Sequence, residues 1–391
     1  MRLPIFSQLD NSRPLIIFLY LYLLTLLLTY SLRAIGFANE WHGWNIAEWL
    51  INYDYGFVRR GLSGEFIGAL SSVTGFGLNF IVAFLAILAM AAFIFLLSRA
   101  PIYSPMMGLA MIWPTNLSFY FTDHSSILRK DILIILFSLI YVFALPSGRL
   151  NSNKFLIIFS IASIFLTLTH ELFLFYTPFF ICASFLLGRG LVRVGFAVAL
   201  SSFATAAALL LFAKPILGSK TCLDLLSLGA TESVCHGILE WPFHSLLDSF
   251  NDVLEKVGPW HFLPVIAVLF VSTLPNYLYL RGNFPISAGQ SFIVCVTAML
   301  ACLAPLFFIA HDYGRWIHLF SMQSMFLCFV LVCGKALDPR RCSERLQRPP
   351  RTKPTILCLV LATGLLFELR HCCAHEVSWL RLGPLARILA G

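Results

Sequence analysis

The sequence predicts an all-α membrane protein, a polytopic transmembrane bundle of about eleven helices. Three observations carry that expectation. Apolar residues make up 59% of the chain and charged residues only 12%, where a water-soluble domain carries about 25%. The mean hydropathy is +0.84. The apolar residues also gather into runs of roughly 17–25, bounded by charges or turn residues, the length a helix needs to cross about 30 Å of hydrocarbon.

The runs fall at residues 14–32, 77–97, 105–121, 132–146, 155–169, 172–187, 195–213, 262–280, 286–309, 317–334 and 355–369. The first is longer than a signal-peptide core and has no small-x-small cleavage site after it, so it reads as a retained helix. Pro105 and Pro114 interrupt the third run, and the last is short for a full crossing. With no internal repeat, lipidation motif or soluble insertion visible, residues 1–391 read as one integral membrane domain. Its main connections are a first outer loop (33–76), a long outer loop (213–261) and a basic inner loop (335–354).

Charge fixes the expected orientation. With the N-terminus inside, every short inner loop holds Lys or Arg, and the inner segments hold only Asp10, Asp338 and Glu344 as acids. That places the C-terminus outside. All ten His then fall on the outer side or at outer helix ends, as do seven of the eight Trp. A membrane sorts charge, but it has no reason to sort His. The net charge of +8 is scattered between apolar spans and forms no patch, which argues against nucleic acid as a partner.

Six of the eleven Cys lie within apolar runs and read as small packing residues. Cys222 and Cys235 share the long outer loop, where an oxidising compartment allows a disulfide. Cys372 and Cys373 sit beside His371 and His375 without further evident ligands, so no metal site is expected there.

The polar residues concentrate in four outer groups. The first loop carries Glu40, a Trp-rich stretch over 40–51 that suits an amphipathic interfacial helix, then Asp54, Arg59 and Arg60 among Gly56, Gly61 and Gly64. The apolar stretch from Phe66 to Leu97 is too long for one straight span, so its start suits a re-entrant segment. Asp123–Asp131 holds Arg129 and Lys130, a tight turn holds His170 and Glu171, and 311–316 holds His311, Asp312 and Arg315. Any one of these groups suits a snorkelling or capping role. Four at one depth, pairing acids with Arg, point instead to function.

Such residues suit sugar transfer from a lipid phosphate. The acceptor hydroxyl needs a carboxylate to take its proton, a role for Asp54 or Glu40. The departing phosphate needs cations, which Arg59, Arg60 and Arg315 supply, with Arg129, Lys130, His311, Asp312, His170 and Glu171 around the same site. An acid in the first outer loop, beside interfacial helices and followed by many spans, resembles the C-type (GT-C) membrane glycosyltransferases. Those enzymes use polyprenyl (undecaprenyl) phosphate-linked sugars at the non-cytoplasmic face. The resemblance implies Asp54 as base with Glu40 second, a glycan or lipid-linked acceptor, and a place in the bacterial inner membrane. The first loop has no adjacent acidic pair, which leaves use of a divalent metal open. The span count and long late loop also resemble O-antigen polymerases of lipopolysaccharide assembly, which join repeat units. A secondary transporter or a membrane O-acyltransferase using His170 or His311 remains the reading from another class.

Overall fold

The computed structural model describes residues 13–41, 43–99, 108, 110–144, 152–188, 191–214, 218–235, 250, 251, 253, 255, 262–333, 366–370 and 380–383. Six segments in it are long and apolar enough to cross a membrane: Ile16–Asn39, Leu78–Ser98, Val192–Phe212, Leu263–Gly282, Ile286–Ile309 and Tyr313–Val332. Shorter apolar helices at Asp131–Ala144, Asn153–Thr169 and Phe173–Leu187 fill the bundle between them. The protein is thus a helical membrane protein.

The first helix, α1 (Arg13–Asn39), is followed by α2 (Gly43–Leu50), α3 (Gly61–Thr74) and α4 (Leu78–Ser98). Helices α1 and α4 lie antiparallel. Asn79 Nδ2 donates to the Ala38 carbonyl at one end (2.9 Å), and Tyr20 donates to the Ser98 carbonyl at the other (3.3 Å). The over-long apolar stretch resolves into two helices, because Gly75 turns the chain in a left-handed conformation (φ 72°) between α3 and α4.

The 105–121 run does not form a span over its described part. After Met111 the backbone turns through Pro114, and only Phe119–Thr122 (α5) is helical again. Polar side chains take up the freed carbonyls: Asn116 Nδ2 donates to Ala110 O and Ser118 Oγ to Ile112 O, both at 2.5 Å. Irregular backbone is tolerated in a membrane protein where protein buries it, as happens here.

Next come α6 (Asp131–Ala144), α7 (Ser152–Thr169), α8 (Phe173–Tyr176), α9 (Pro178–Leu187) and α10 (Val192–Phe212). Helices α7 and α10 pack closely through small polar residues: Ser163 meets Ser201 at 2.6 Å and Thr167 meets Ser202 at 2.8 Å. Beyond the outer helix α11 (Gly218–Ser227) lie α12 (Phe262–Asn283), α13 (Ile286–Leu303), α14 (Leu306–Ile309) and α15 (Tyr313–Cys333). Helix α15 is the core of the bundle, with 94% of its apolar window buried, whereas α1 and α10 turn Leu24, Leu200 and Leu210 outward as lipid-facing residues do.

The last expected span lies largely outside the described residues. Its end, Phe367–Leu369, is a strand (β1) paired antiparallel with Leu380–Leu382 (β2), and Leu369 O sits beside Thr122 Oγ1. The inner loop 335–354 also lies outside the described residues.

Candidate functional site

Helix α2 sets the site. Sequence reading makes it an interfacial anchor, but the protein swallows it: Asn45 through Leu50 are all buried. Trp49 Nε1 donates to Leu128 O (2.5 Å), and Asn45 Nδ2 donates to Ser125 O (3.1 Å) and Ile127 O (2.6 Å). These bonds spend the polar atoms of α2 on the 123–131 turn rather than on a membrane surface. At the start of α2, Gly43 lies against the Ser233 carbonyl so closely that a Cβ would come within 1.8 Å of it.

The consequence is that Glu48 points inward with no exposure. Arg60 Nη1 reaches its Oε1 at 3.2 Å, Arg129 Nη1 its Oε2 at 3.3 Å, and His170 Nε2 lies 3.7 Å from Oε1. A second carboxylate hub, Asp131, opens α6. It accepts both arms of Arg315, Nε at 2.7 Å and Nη2 at 2.9 Å, and lies 3.3 Å from His170 Nε2. His170 Nε2 thus lies between the two hubs, and Arg315 Nη2 is 3.4 Å from it. Arg315 also bonds Asp312, the residue just ahead of α15. Arg60 grips Glu171 through Nε and Nη2 (2.8–2.9 Å).

All four polar groups of the sequence therefore converge at one end of the bundle. The cluster sets Glu48, Asp131, Glu171 and Asp312 against Arg60, Arg129, Lys130 and Arg315, with His170 between them. Burial drives the Glu48 carboxyl upward, but the His170, Arg60, Arg129 and Arg315 charges outweigh it and hold the pKa at about 2. Glu171 is likewise held below the usual carboxylate range, Arg60 outweighing burial. Lys130 behaves differently. It donates to Ser63 Oγ (2.7 Å) and the Thr169 carbonyl (3.0 Å), both neutral, and burial pushes its ammonium down to about 7.

Backbone strain marks the same place. Arg60 and Leu128 both sit in the left-handed region at φ 65°, each costing on the order of 1 kcal/mol for a side-chain-bearing residue. Arg60 takes that conformation as the residue before α3, and there its guanidinium spans Glu48 and Glu171.

The disulfide lies above this end of the bundle. Cys222 and Cys235 are bonded, closing the segment that carries α11. That segment docks on the first loop, with Ser233 Oγ donating to Trp41 O (2.9 Å) and Tyr55 to Asp224, and Lys214 N, just after α10, donates to Phe57 O (2.7 Å).

Of the residues the sequence nominates, Arg60, Arg129, Lys130, His170, Glu171, Asp312 and Arg315 belong to the cluster. Asp54 does not: it is exposed in the turn after α2, where Asn52 Nδ2 donates to it (2.5 Å). Glu40 is exposed just beyond α1, Arg59 is exposed beside Arg60, and His311 stands at the rim near Tyr313. Of Asp54, Arg59, Arg60 and Arg315, expected around one site, Arg60 and Arg315 belong to the cluster, while Asp54 and Arg59 are exposed outside it. A local Asx turn keeps Asp54 at the surface. The two hubs, Glu48 and Asp131, went unnominated. The available signal was an acid inside the otherwise apolar Ile46–Leu50 and another at the head of an uninterrupted apolar run. Among the described residues no His, Cys, Asp and Glu group has a metal-holding arrangement.

These features define a polytopic helical membrane protein with a charge-balanced ion-pair cluster built into one end of its bundle. Compared with family models, curated proteins and solved structures, the chain has no significant match.

Proposed function

We propose that the protein is a membrane glycosyltransferase that takes a sugar from a polyprenyl (undecaprenyl) phosphate carrier, at the non-cytoplasmic face of a bacterial inner membrane, in surface polysaccharide assembly. The observation that carries this reading is the split within the cluster between a buried frame and an open rim. Glu48, Arg129, Asp131, His170 and Arg315 are buried. Arg60, Glu171 and Asp312 keep 24%, 25% and 28% side-chain exposure, enough to meet a substrate, and Arg59 is exposed beside them.

The rim divides the chemistry. An acceptor hydroxyl attacks the anomeric carbon while a carboxylate takes its proton. The bond from that carbon to the phosphate oxygen breaks, and the phosphate leaves with the electron pair. Arg60, a planar donor fixed by the buried frame, suits the leaving phosphate, with exposed Arg59 beside it. Asp312, held by one arm of Arg315, suits the base better than buried Glu48, and Asp54 remains the second candidate. A polymerase joining whole repeat units would use the same rim.

The test is glycan analysis in a deletion strain complemented at matched membrane levels with Asp312→Asn, Asp54→Asn or Arg60→Ala. Loss of roughly 100-fold or more with Asp312→Asn supports it as base. Full complementation by Asp312→Asn and Asp54→Asn together sinks the glycosyl-transfer reading. Loss of long chains with single repeats retained identifies the polymerase form.

One observation favours transport as a second reading. The irregular 112–118 backbone packs against α15, with His318 Nδ1 donating to Thr115 O at 2.9 Å, and broken helices line many transporter sites. Substrate uptake by proteoliposomes, lost on His318→Phe, would favour it.

A further inference from the structure

Ser63 and Lys130 form a pair that glycosyl transfer at the rim does not use. Lys130 Nζ lies 2.7 Å from Ser63 Oγ and 3.0 Å from the Thr169 carbonyl, both of them neutral acceptors. Both side chains are buried. Burial pushes the Lys130 ammonium down to about 7, outweighing the upward pull of Glu48 on α2 and Glu171 ahead of α8, while Arg60 ahead of α3 adds to the fall. Near neutral pH a large share is therefore free amine, whose lone pair can take the proton of the Ser63 hydroxyl.

The first turn of α3 holds Ser63 in place. A Cβ on Gly61 would come within 2.2 Å of the Tyr53 ring, and one on Gly64 within 2.2 Å of the Ile51 carbonyl, so both glycines let this turn lie against the segment after α2. The Gly64 amide donates to Ile51 O at 3.1 Å. Arg60 gives α3 no side-chain cap, and the Leu62 and Ser63 amides make no hydrogen bond among the described residues. These N–H donors stand beside the hydroxyl at the positive end of a helix, where a developing oxyanion is stabilised.

Ser63 lines a cavity of about 530 Å³, and Lys130 stands behind it, outside the lining. Phe66 of α3, Leu88 of α4, Leu136 of α6 and Phe165 of α7 are among its walls, and no lining residue is charged. Phe66, Leu88 and Phe165 are each more than half exposed, so the cavity opens sideways to lipid. A second apolar cavity, about 550 Å³, shares Leu136 and Phe165 with the first and continues along the α6–α7 seam to Ile158. From Thr169 to Ile158 along α7 is about 16 Å at 1.5 Å per residue, roughly half the thickness of a bilayer core. An anionic head group finds no contacting cation in this wall. A neutral ester carbonyl at the head of an apolar chain meets the Ser63 hydroxyl.

We propose that Ser63 and Lys130 are the nucleophile and base of an acyl transfer from a long-chain lipid ester, whose chain lies in this groove. The activity goes beyond glycosyl transfer and involves no sugar phosphate. Ser63 Oγ bonds to the ester carbonyl carbon as its proton passes to Lys130 Nζ. The carbonyl oxygen takes the negative charge, facing the Leu62 and Ser63 amides. The bond from that carbon to the leaving oxygen then breaks, and Lys130 returns the proton to the departing alcohol. In the second half, a water or acceptor hydroxyl gives its proton to Lys130 and attacks the Ser63 ester. Ser63 Oγ leaves and takes that proton back.

The test uses full-length protein in nanodiscs, with hexadecyl and ethyl fluorophosphonates as probes of the nucleophile and methylumbelliferyl palmitate as the ester. A fluorophosphonate marks an activated hydroxyl, because Ser63 Oγ displaces fluoride from its phosphorus. Mass spectrometry should find the adduct on Ser63, formed roughly tenfold faster or more with the hexadecyl probe, whose chain is buried. The rate should rise with pH up to about 7 and level off above it, since the base must be unprotonated. Ser63→Ala should abolish both labelling and release of methylumbelliferone. Lys130→Met should slow both by roughly 100-fold and flatten the pH profile. Ser72→Ala, at an exposed position on the same helix, should match wild type. The chain-length comparison is made on unaltered protein, so it decides the matter even where a variant folds poorly. Adducts only at other residues, equal rates for the two probes, full rates in Lys130→Met, or no ester cleavage above empty nanodiscs would overturn the assignment.

Discussion

Replacing Glu48 with Gln keeps the shape of the hub and removes its charge, so it tests whether the cluster is held together electrostatically. Two routes give the magnitude. A carboxyl held at about 2 against an ordinary 4.5 reflects roughly 2.5 units of preferential binding, or about 3 kcal/mol. Breaking a buried ion pair by neutralising one partner costs roughly 3–5 kcal/mol, because the opposite charges stay buried. The two agree. Glu48→Gln should therefore lower the melting temperature in detergent by on the order of 5 °C, with Asp54→Asn and Glu40→Gln within about 1 °C because both sites are exposed. The sign with pH is also fixed. A carboxyl whose folded pKa is depressed stabilises fully above its ordinary value and loses that contribution as the pH falls toward about 2. Wild type and Glu48→Gln should thus differ most above pH 5 and converge below pH 3. Equal melting temperatures at pH 7, or a gap that widens in acid, would refute the hub.

Three further outcomes follow from named contacts. Gly43→Ala places a Cβ within 1.8 Å of the Ser233 carbonyl and should undock the 218–235 segment, seen as faster trypsin cleavage at Lys220. Reducing or replacing the Cys222–Cys235 bond, which spans 13 residues, should cost about 3 kcal/mol and speed the same cleavage, while intact protein should show one disulfide by non-reducing mass spectrometry. Arg315→Lys keeps the charge but loses the fork on Asp131, so activity should fall at least tenfold where Arg193→Lys leaves it unchanged.

The parts of this fold that the sequence made legible are those the bilayer imposes. Long apolar runs became α1, α4, α10, α12, α13 and α15 with boundaries shifted by a few residues, because hydrocarbon thickness sets their length. The 105–121 run misled for the opposite reason. Hydropathy sees Leu, Met and Trp, and it does not see that Pro114 breaks the helix while Asn116 and Ser118 satisfy its carbonyls. Helix α2 misled because its Trp residues suit either an interface or an interior, and only the partners of Asn45 and Trp49 decide between them. The site was half legible. Arg and His at loop ends stand out in an apolar chain, yet the hubs that gather them, Glu48 and Asp131, lie inside or against apolar runs where a lone acid reads as noise. Asp54 and Glu40 drew attention because loops were expected to carry the chemistry, but both are exposed, and neither pairs with the buried hubs.

Lys130 offers the sharpest separation of structural from functional roles. A structural residue stabilises; a binding residue often costs stability until its ligand arrives. Lys130 has a folded pKa near 7 against an ordinary 10.5, so between those values the unfolded chain holds the proton that the folded one gives up. Stability from this group therefore rises with pH across that window, and the full cost of burying the charged amine falls below pH 7. The cost is on the order of 5 kcal/mol, less about 1–3 kcal/mol for leaving Ser63 and the Thr169 carbonyl with fewer partners. Lys130→Met retains the apolar stem and drops the charge. In lipid-free detergent it should melt at least as high as wild type at pH 6, with the advantage shrinking by pH 10. A melting temperature several degrees below wild type at pH 6 would make Lys130 a structural tie between α3 and α7.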